Sequence, residues 1–346
     1  MCFVRLLALL LVAGQAGAAG LHFAHKDWEL ACDNTGTCRA AGYQDETLDG
    51  PAVSVLVVRE AGAGAAVTGR VHLGTYDEAA SKAMPSEVAM SLNGRSLGAV
   101  RLRDAQGELS PSQVSALVAA LVQKADTVFS AAGRQWRLSD QGAAAVFLKM
   151  DEAQRRLGTM GALIRKGRQP ETAVPAPIPM PVVRAQAIAP RGPADPTWFK
   201  RLRSLLAATK GAQDCLMSEQ VAAKEGITLD DDPQVWRFGP GRLLLSASCG
   251  HGAYNHPRGY WIANEQPPHQ AQFVGQATEY DGNGTLTAAF KGRGLGDCWN
   301  FDEWVWDGRQ FAHTGSSSTG LCRGVAAGGA WSLPTLVTEV QRPGKN

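Results

Sequence analysis

Read for the period of its apolar positions, the chain divides into a strand-and-helix first part, a proline-rich middle and a strand-dominated last part. Trp28-Glu29-Leu30-Ala31-Cys32 and the run from Cys38 flank the turn residues Asp33-Asn34-Thr35-Gly36-Thr37, a hairpin signal. Val53 to Arg59, Gly69 to Leu73 and Gln135 to Leu138 are rich in β-branched or alternating apolar residues and are predicted strands. Ser110, Pro111 and Gln113 supply a cap, a first-turn proline and a capping-box partner, and Val114, Leu117, Val118, Leu121 and Ala125 follow at helical spacing. A second helix is expected to be capped by Ser139, with Ala143, Val146, Phe147, Met150, Ala153 and Leu157 facing inward. Its outer face pairs Asp151 with Arg155 and Glu152 with Arg156, a solvated arrangement worth about 0.3 kcal/mol per pair.

From Lys166 to Trp198 the pattern stops, because eight of the eighteen prolines fall there. Proline lacks an amide donor and has a fixed φ, so this stretch is expected to pair in no sheet and to act as an extended, semi-rigid spacer. Beyond it a short helix carries Trp198, Leu202, Leu205 and Leu206. Short strands follow at Arg242 to Cys249, Gly259 to Ala263, Gln270 to Val274, Leu286 to Phe290, Trp304 to Trp306 and Gln310 to Thr314. Asp281-Gly282 and Asp307-Gly308 mark turns, the latter suited to a two-residue hairpin that sets Trp304 and Trp306 on one face. The fold class is therefore α+β, mainly β: two antiparallel-sheet domains, each with one or two packed helices. The expected boundaries are a signal peptide at 1–18, an N-terminal domain at 19–167, the linker at 168–196 and a Trp-rich C-terminal domain at 197–346.

The leader reading rests on Arg5, the apolar run Leu6 to Val12 and the small residues Ala16 to Ala18. Export implies a periplasmic or secreted location, where thiols pair. Removing Cys2 with the leader leaves Cys32, Cys38, Cys215, Cys249, Cys298 and Cys322. Cys32 and Cys38 sit opposite one another on the expected hairpin. Four cysteines allow three pairings in the last part, of which Cys215–Cys249 and Cys298–Cys322 close the shortest loops.

Charge narrows the partners. With 34 Lys and Arg against 32 Asp and Glu, the formal net charge is +2, and there is no basic stripe for nucleic acid. No later segment is long enough to span a bilayer. Cys249, His251 and His256 match no standard metal spacing, so no metal and no cofactor is expected. Gly315 to Gly320 places its glycines one residue too far apart for a serine elbow, and neither a dinucleotide fingerprint nor a phosphate loop occurs. No catalytic residue is assigned.

Several segments together resemble the exported bacterial family catalogued as domain of unknown function 1176. They are Trp28 to Tyr43, Met150 to Thr159, Gly252-Ala253-Tyr254-Asn255, and Gly296-Asp297-Cys298-Trp299 through Trp304-Val305-Trp306-Asp307-Gly308 to Cys322-Arg323-Gly324. The first part is also similar to the invasion-associated locus B proteins, through Trp28, Cys32, Cys38 and the order of elements. The resemblance implies a cell-envelope role.

Seven of nine tryptophans lie beyond the linker. Most large aromatics go into cores, but Tyr254, Trp299, Trp304 and Trp306 with Asn255, Asp297 and Arg323 are the candidate lining of a groove for a small ligand or peptide. The expected function is non-catalytic binding or envelope adaptation toward an unknown protein, peptide or small molecule. The alternatives are a hydrolase using Asp297, Asp302, Glu303 or His313, and an inhibitor presenting the loop held by Cys298 and Cys322.

Overall fold

The computed structural model describes residues 20–47, 50–76, 84–186, 188, 191–212, 215, 233–250 and 252–344. The expected leader and His251 lie outside them. The architecture is α+β and mainly β. The N-terminal half contains β1 (Leu21–His25), β2 (Trp28–Cys32), β3 (Cys38–Tyr43), β4 (Val53–Arg59), β5 (Val67–Leu73), β6 (Glu87–Leu92), β7 (Arg95–Arg101) and β8 (Gln106–Glu108), then α1 (Pro111–Leu121), β9 (Thr127–Ala131), β10 (Arg134–Leu138) and α2 (Ala143–Ala153). These form a six-stranded sheet, β1-β2-β3-β4-β5-β8, and a four-stranded sheet, β10-β9-β6-β7. The β6–β7 hairpin, absent from the sequence reading, turns at Asn93-Gly94, both with positive φ.

One face of the six-stranded sheet presents Trp28, Leu30, Ala40, Val53, Val55, Val57 and Val71, which pack with Leu117, Phe129, Trp136, Phe147 and Met150 in one core. The α1 capping box is present: Gln113 N donates to Ser110 Oγ at 3.2 Å, and Ser110 N to Gln113 Oε1 at 2.8 Å. The Gln113 amide also donates to the carbonyls of Leu97 and Ala99, 3.2 Å each, and so occupies the free edge of β7.

The second helix departs from expectation at both ends. Its cap is Gly142 at φ 97°, where any Cβ would strike the His25 carbonyl. Ser139 instead donates to Asp27 Oδ2 at 2.6 Å. At the other end α2 stops at Ala153 and Arg155 turns left-handed, φ 53°, so the expected surface pairs never form. Asp151 and Arg156 are fully buried rather than solvated. Asp151 accepts from the amides of Leu163 and Ile164 at 2.9 and 2.8 Å. Arg156 pairs with Glu171 at 3.0 Å and donates to the Gly62 carbonyl at 2.5 Å. A buried guanidinium persists only when its charge and donors are matched in this way.

Glu171 belongs to the proline-rich stretch, which is held at further points, among them Ile178 N donating to the Thr35 carbonyl at 3.2 Å and Gln186 N to the Trp306 carbonyl at 2.9 Å. It pairs in sheets at two three-residue strands, contrary to expectation: β11 (Val182–Arg184) and β12 (Arg191–Pro193). The first is proline-free and keeps its donors; the second is an edge strand, where a missing N–H is tolerated.

The C-terminal half holds α3 (Thr197–Ala207), β13 (Gln234–Phe238), β14 (Arg242–Ser248), β15 (Arg258–Asn264), β16 (Gln272–Ala277), β17 (Glu279–Tyr280), β18 (Thr285–Lys291), β19 (Trp299–Trp306), β20 (Phe311–Ser318), β21 (Leu333–Leu336) and β22 (Glu339–Gln341). Two five-stranded antiparallel sheets result, β12 to β16 and β17 to β21, while β22 pairs in parallel with β11. The β19–β20 connection is four residues, Asp307 to Gln310, rather than two, because the Asp307 carboxylate accepts the amides of Arg309 and Gln310. Disulfides join Cys32 to Cys38, Cys215 to Cys249 and Cys298 to Cys322.

A separate core joins the halves. Ala31, Ala41, Tyr43 and Leu56, on the second face of the six-stranded sheet, pack against Val325, Ala330, Trp331 and Leu333. Strands β2, β3 and β4 are therefore buried on both faces.

Candidate functional site

The candidate site is organised by the loop between β18 and β19, Gly292 to Cys298. Asn255 fixes its start with two bonds to one residue: its amide donates to the Lys291 carbonyl and its oxygen accepts the Lys291 N–H, 2.9 Å each. Gly292 passes against the Cys298–Cys322 bridge, where a Cβ would lie 2.7 and 2.9 Å from the two sulfurs. Asp297 closes the loop. It is buried, takes a two-pronged contact from Arg293 Nε and Nη2 at 2.8 and 2.6 Å, and accepts the Gly324 N–H at 2.6 Å. Burial alone raises the Asp297 carboxyl pKa; the Arg293 and Gly324 hydrogen bonds outweigh it and hold the group below its ordinary value.

Around this frame large side chains remain outside. Tyr254 is 42% exposed and lies over Gly294; Leu295 is 55% exposed. Tyr76, from the N-terminal half, is 38% exposed and donates its hydroxyl to the Leu295 carbonyl at 2.8 Å. Trp299 is half-buried, donates to the Gly296 carbonyl at 2.9 Å, and lies beside Phe301 with ring planes 12° apart. Lys291 Nζ stands 5.2 Å from the Trp299 ring centre. Cavities of about 580 Å³ beside Gln44 and Arg137 and about 780 Å³ beside Arg184 and Arg342 lie elsewhere.

Of the seven residues singled out from sequence, the structure gathers Tyr254, Asn255, Asp297 and Trp299 on this loop, and brings Arg323 to its edge through Gly324. Trp304 and Trp306 are placed elsewhere. They point between the two C-terminal sheets, with Leu244, Tyr260, Leu286 and Phe311. Trp306 is buried, and Trp304 stacks on His313 at 5.0 Å. Sequence reasoning missed Tyr76 and Leu295; Tyr76 carried no local signal because its partner is more than 200 positions away.

Around Cys322 the chain crosses to the N-terminal half. Leu321 N donates to Glu29 Oε1 at 2.7 Å and to the Tyr43 hydroxyl at 3.1 Å, and that hydroxyl donates to Glu29 Oε1 at 2.8 Å. Burial, reinforced by Glu29, pushes the Tyr43 pKa well above its usual value. His22 Nε2 lies 3.2 Å from Glu29 Oε2, and that hydrogen bond raises the His22 pKa against the opposing effect of burial. Arg323 bonds Asp27 at 2.9 Å and lies 3.1 Å from Glu46. Trp331 Nε1 donates to Ser54 Oγ at 2.7 Å, and Asn34 holds Val337 by the same two-bond grip that Asn255 uses on Lys291.

The groups considered for chemistry are mostly engaged. His313 Nε2 contacts Asp302 at 2.9 Å, and Glu303 accepts from the buried Thr314 hydroxyl at 3.0 Å. Asp297, Cys298 and Cys322 lie within 4.8 Å of one another, but both sulfurs are in a disulfide and supply no thiolate ligand.

Comparison with known proteins bears on the whole chain. No solved structure matches it. It is 26% identical over 363 aligned residues, covering 96% of this chain and 97% of the other, to the uncharacterised protein YpfG of Escherichia coli (strain K12). The family model described as protein of unknown function (DUF1176) matches residues 22–338, so the chain belongs to that family.

Proposed function

We propose that this protein is a non-catalytic binding module of the bacterial cell envelope that takes a protein, peptide or small ligand on the surface built by Tyr254, Leu295 and Tyr76. One observation carries the reading. Three large, exposed side chains from three separate segments converge on a glycine-rich loop whose own polar groups are held by Asn255, Arg293 and Asp297. Exposed apolar groups gathered on a rigid frame mark interaction surfaces more often than scattered ones do. The three disulfides and the secretory reading of residues 1–18 support the envelope location. Among the described residues no helix is long and apolar enough to cross a membrane.

Partner capture from a periplasmic extract tests this reading. A partner retained by the native chain and lost from Y254S/L295S, with thermal unfolding unchanged, is the expected result. Equal retention by both chains overturns it. The His313–Asp302 contact is the observation favouring a hydrolase, and hydrolysis by the native chain that disappears in H313A is the result that favours that alternative. The inhibitor alternative needs a presented loop, whereas next to Cys322 the Leu321 amide is engaged by Glu29 and Tyr43, and farther on Trp331 is engaged by Ser54.

A further inference from the structure

Strand β10 pairs with β9 alone and so forms one edge of the four-stranded sheet. The turn between them is Ala132-Gly133, both with positive φ, which makes Arg134, Trp136 and Leu138 the residues bonded to β9. Gln135 and Arg137 therefore turn their N–H and C=O groups the other way. Ser139 fixes the same phase: its N–H, two residues on, donates away from β9 to the Tyr43 carbonyl at 3.0 Å. Beyond that rung the chain leaves β10, since Gln44 N pairs back to the Val53 carbonyl at 3.1 Å. The edge at Gln135 and Arg137 instead lines a cleft of about 580 Å³, shared with Gln44, Asp45, Gly50 and Pro51. No bond among the described residues uses these four backbone groups.

The cleft carries three carboxylates against one guanidinium. Asp126 and Arg137 neutralise each other at 2.6 Å, which leaves Asp45 and Asp140. Asp140 accepts the Ala125 N–H at 2.8 Å, and Asp45 accepts from the Thr47 hydroxyl and N–H, bonds that hold its pKa below the ordinary value. These neutral donors hold the anions in place without cancelling their charge. Arg323 acts on Asp45 only from farther off, and Lys26 meets the lining at Gln141 Oε1, 3.3 Å away. Among the described residues no Lys or Arg lies within 4.0 Å of either carboxylate.

A strand rises about 3.3 Å per residue, so a segment of about five residues spans β10. Such a segment gains main-chain hydrogen bonds from the edge and brings basic side chains to the carboxylates. A second copy of this chain would instead bring like charges together.

We propose that the free edge of β10 is a strand-addition site that captures an extended, lysine- or arginine-rich peptide segment in this cleft. It is separate from the Tyr254 surface and stands whether or not that surface binds anything.

Selection of a phage-displayed library of linear decapeptides on the full chain, disulfides intact, tests it. Basic peptides should be enriched, and binding of the synthetic peptides, read by fluorescence anisotropy, should weaken in high salt. Gln135→Pro removes an edge N–H that the fold does not use, and should weaken binding by about tenfold or more. D45N/D140N keeps the acceptor oxygens and should weaken it by about threefold or more. Amide exchange at Gln135 and Arg137 should slow when peptide is added to the native chain, a readout that needs no variant. Thermal unfolding like that of the native chain shows that the variants fold. The proposal is overturned if no peptide is enriched, if the enriched peptides are acidic, or if they bind Gln135→Pro as they bind the native chain. Binding lost in Y254S/L295S but kept in Gln135→Pro overturns it too, since the peptides then sit on the other surface. A native dimer that Gln135→Pro converts to a monomer assigns the edge to a second copy and likewise overturns it.

Discussion

The two faces of the six-stranded sheet are covered by different means. The first packs against helices and a second sheet from the same half, and its core side chains are almost wholly hydrocarbon. The other is covered by a segment some 250 to 300 positions downstream, and there apolar contacts alternate with hydrogen-bonded polar groups: Glu29, Tyr43, Ser54 and His72. A face built from nearby sequence needs only shape and apolar area. A face that must select one remote segment also uses directional bonds, since leaving a buried donor or acceptor unpaired costs about 1 to 3 kcal/mol.

The comparison breaks first at its tryptophans. Trp28→Ala removes a fully buried ring from the first face, and a loss of about 3 to 5 kcal/mol is expected, with unfolding still cooperative in denaturant titration. Trp331→Ala, on the other face, is expected to cost about 2 to 4 kcal/mol, because the emptied site is shared with a segment able to lift away. Hydrogen exchange should then rise in residues 321–336 while the amides of β3 and β4 stay protected. Equal loss of protection in both regions would show that the faces form one cooperative unit.

Glu29→Gln sharpens the comparison at smaller amplitude. Its oxygen serves both the Tyr43 hydroxyl and the Leu321 amide, so a loss of about 1 to 3 kcal/mol is expected, again with exchange concentrated after residue 320. The smallest effect is a pH dependence. The raised His22 pKa means that folding holds its proton, so this contribution is full below the ordinary histidine value of about 6.5 and fades as pH rises through the raised value. His22 is half exposed, which limits the effect to about 0.5 kcal/mol. It faces Glu29, with Tyr43, Arg323 and Asp27 beyond. The melting temperature should fall slightly from pH 6 to pH 8, and His22→Ala should remove that slope; a slope that persists in the variant assigns it elsewhere.

Much of the framework was legible in the chain. Val53–Arg59 appears at its expected limits, the Ser110 cap and Gln113 work as the motif implies, and the three disulfides are those that close the shortest loops. The errors have a common cause. Asp151 with Arg155 and Glu152 with Arg156 have the spacing of a solvated helix face, but the helix ends at Ala153, and Glu171 comes from the proline-rich stretch to meet Arg156. Similarly, the period of β19 puts Trp304 and Trp306 on one face without saying whether another sheet covers that face.

For the candidate site, the sequence marked Tyr254, Asn255, Asp297, Trp299 and Arg323 as a group by composition and by likeness to a family. The fold adds Tyr76 and Leu295 and places the two later tryptophans in a core. By itself the sequence determined what short-range physics controls: where strands and helices run, which turns close hairpins and which thiols are near enough to pair. Tertiary structure alone decided what covers the second face of the first sheet, which charges are buried and which aromatic rings meet solvent. Each of those outcomes depends on a contact between segments tens to hundreds of residues apart, and no local pattern of apolar and polar positions encodes such a contact.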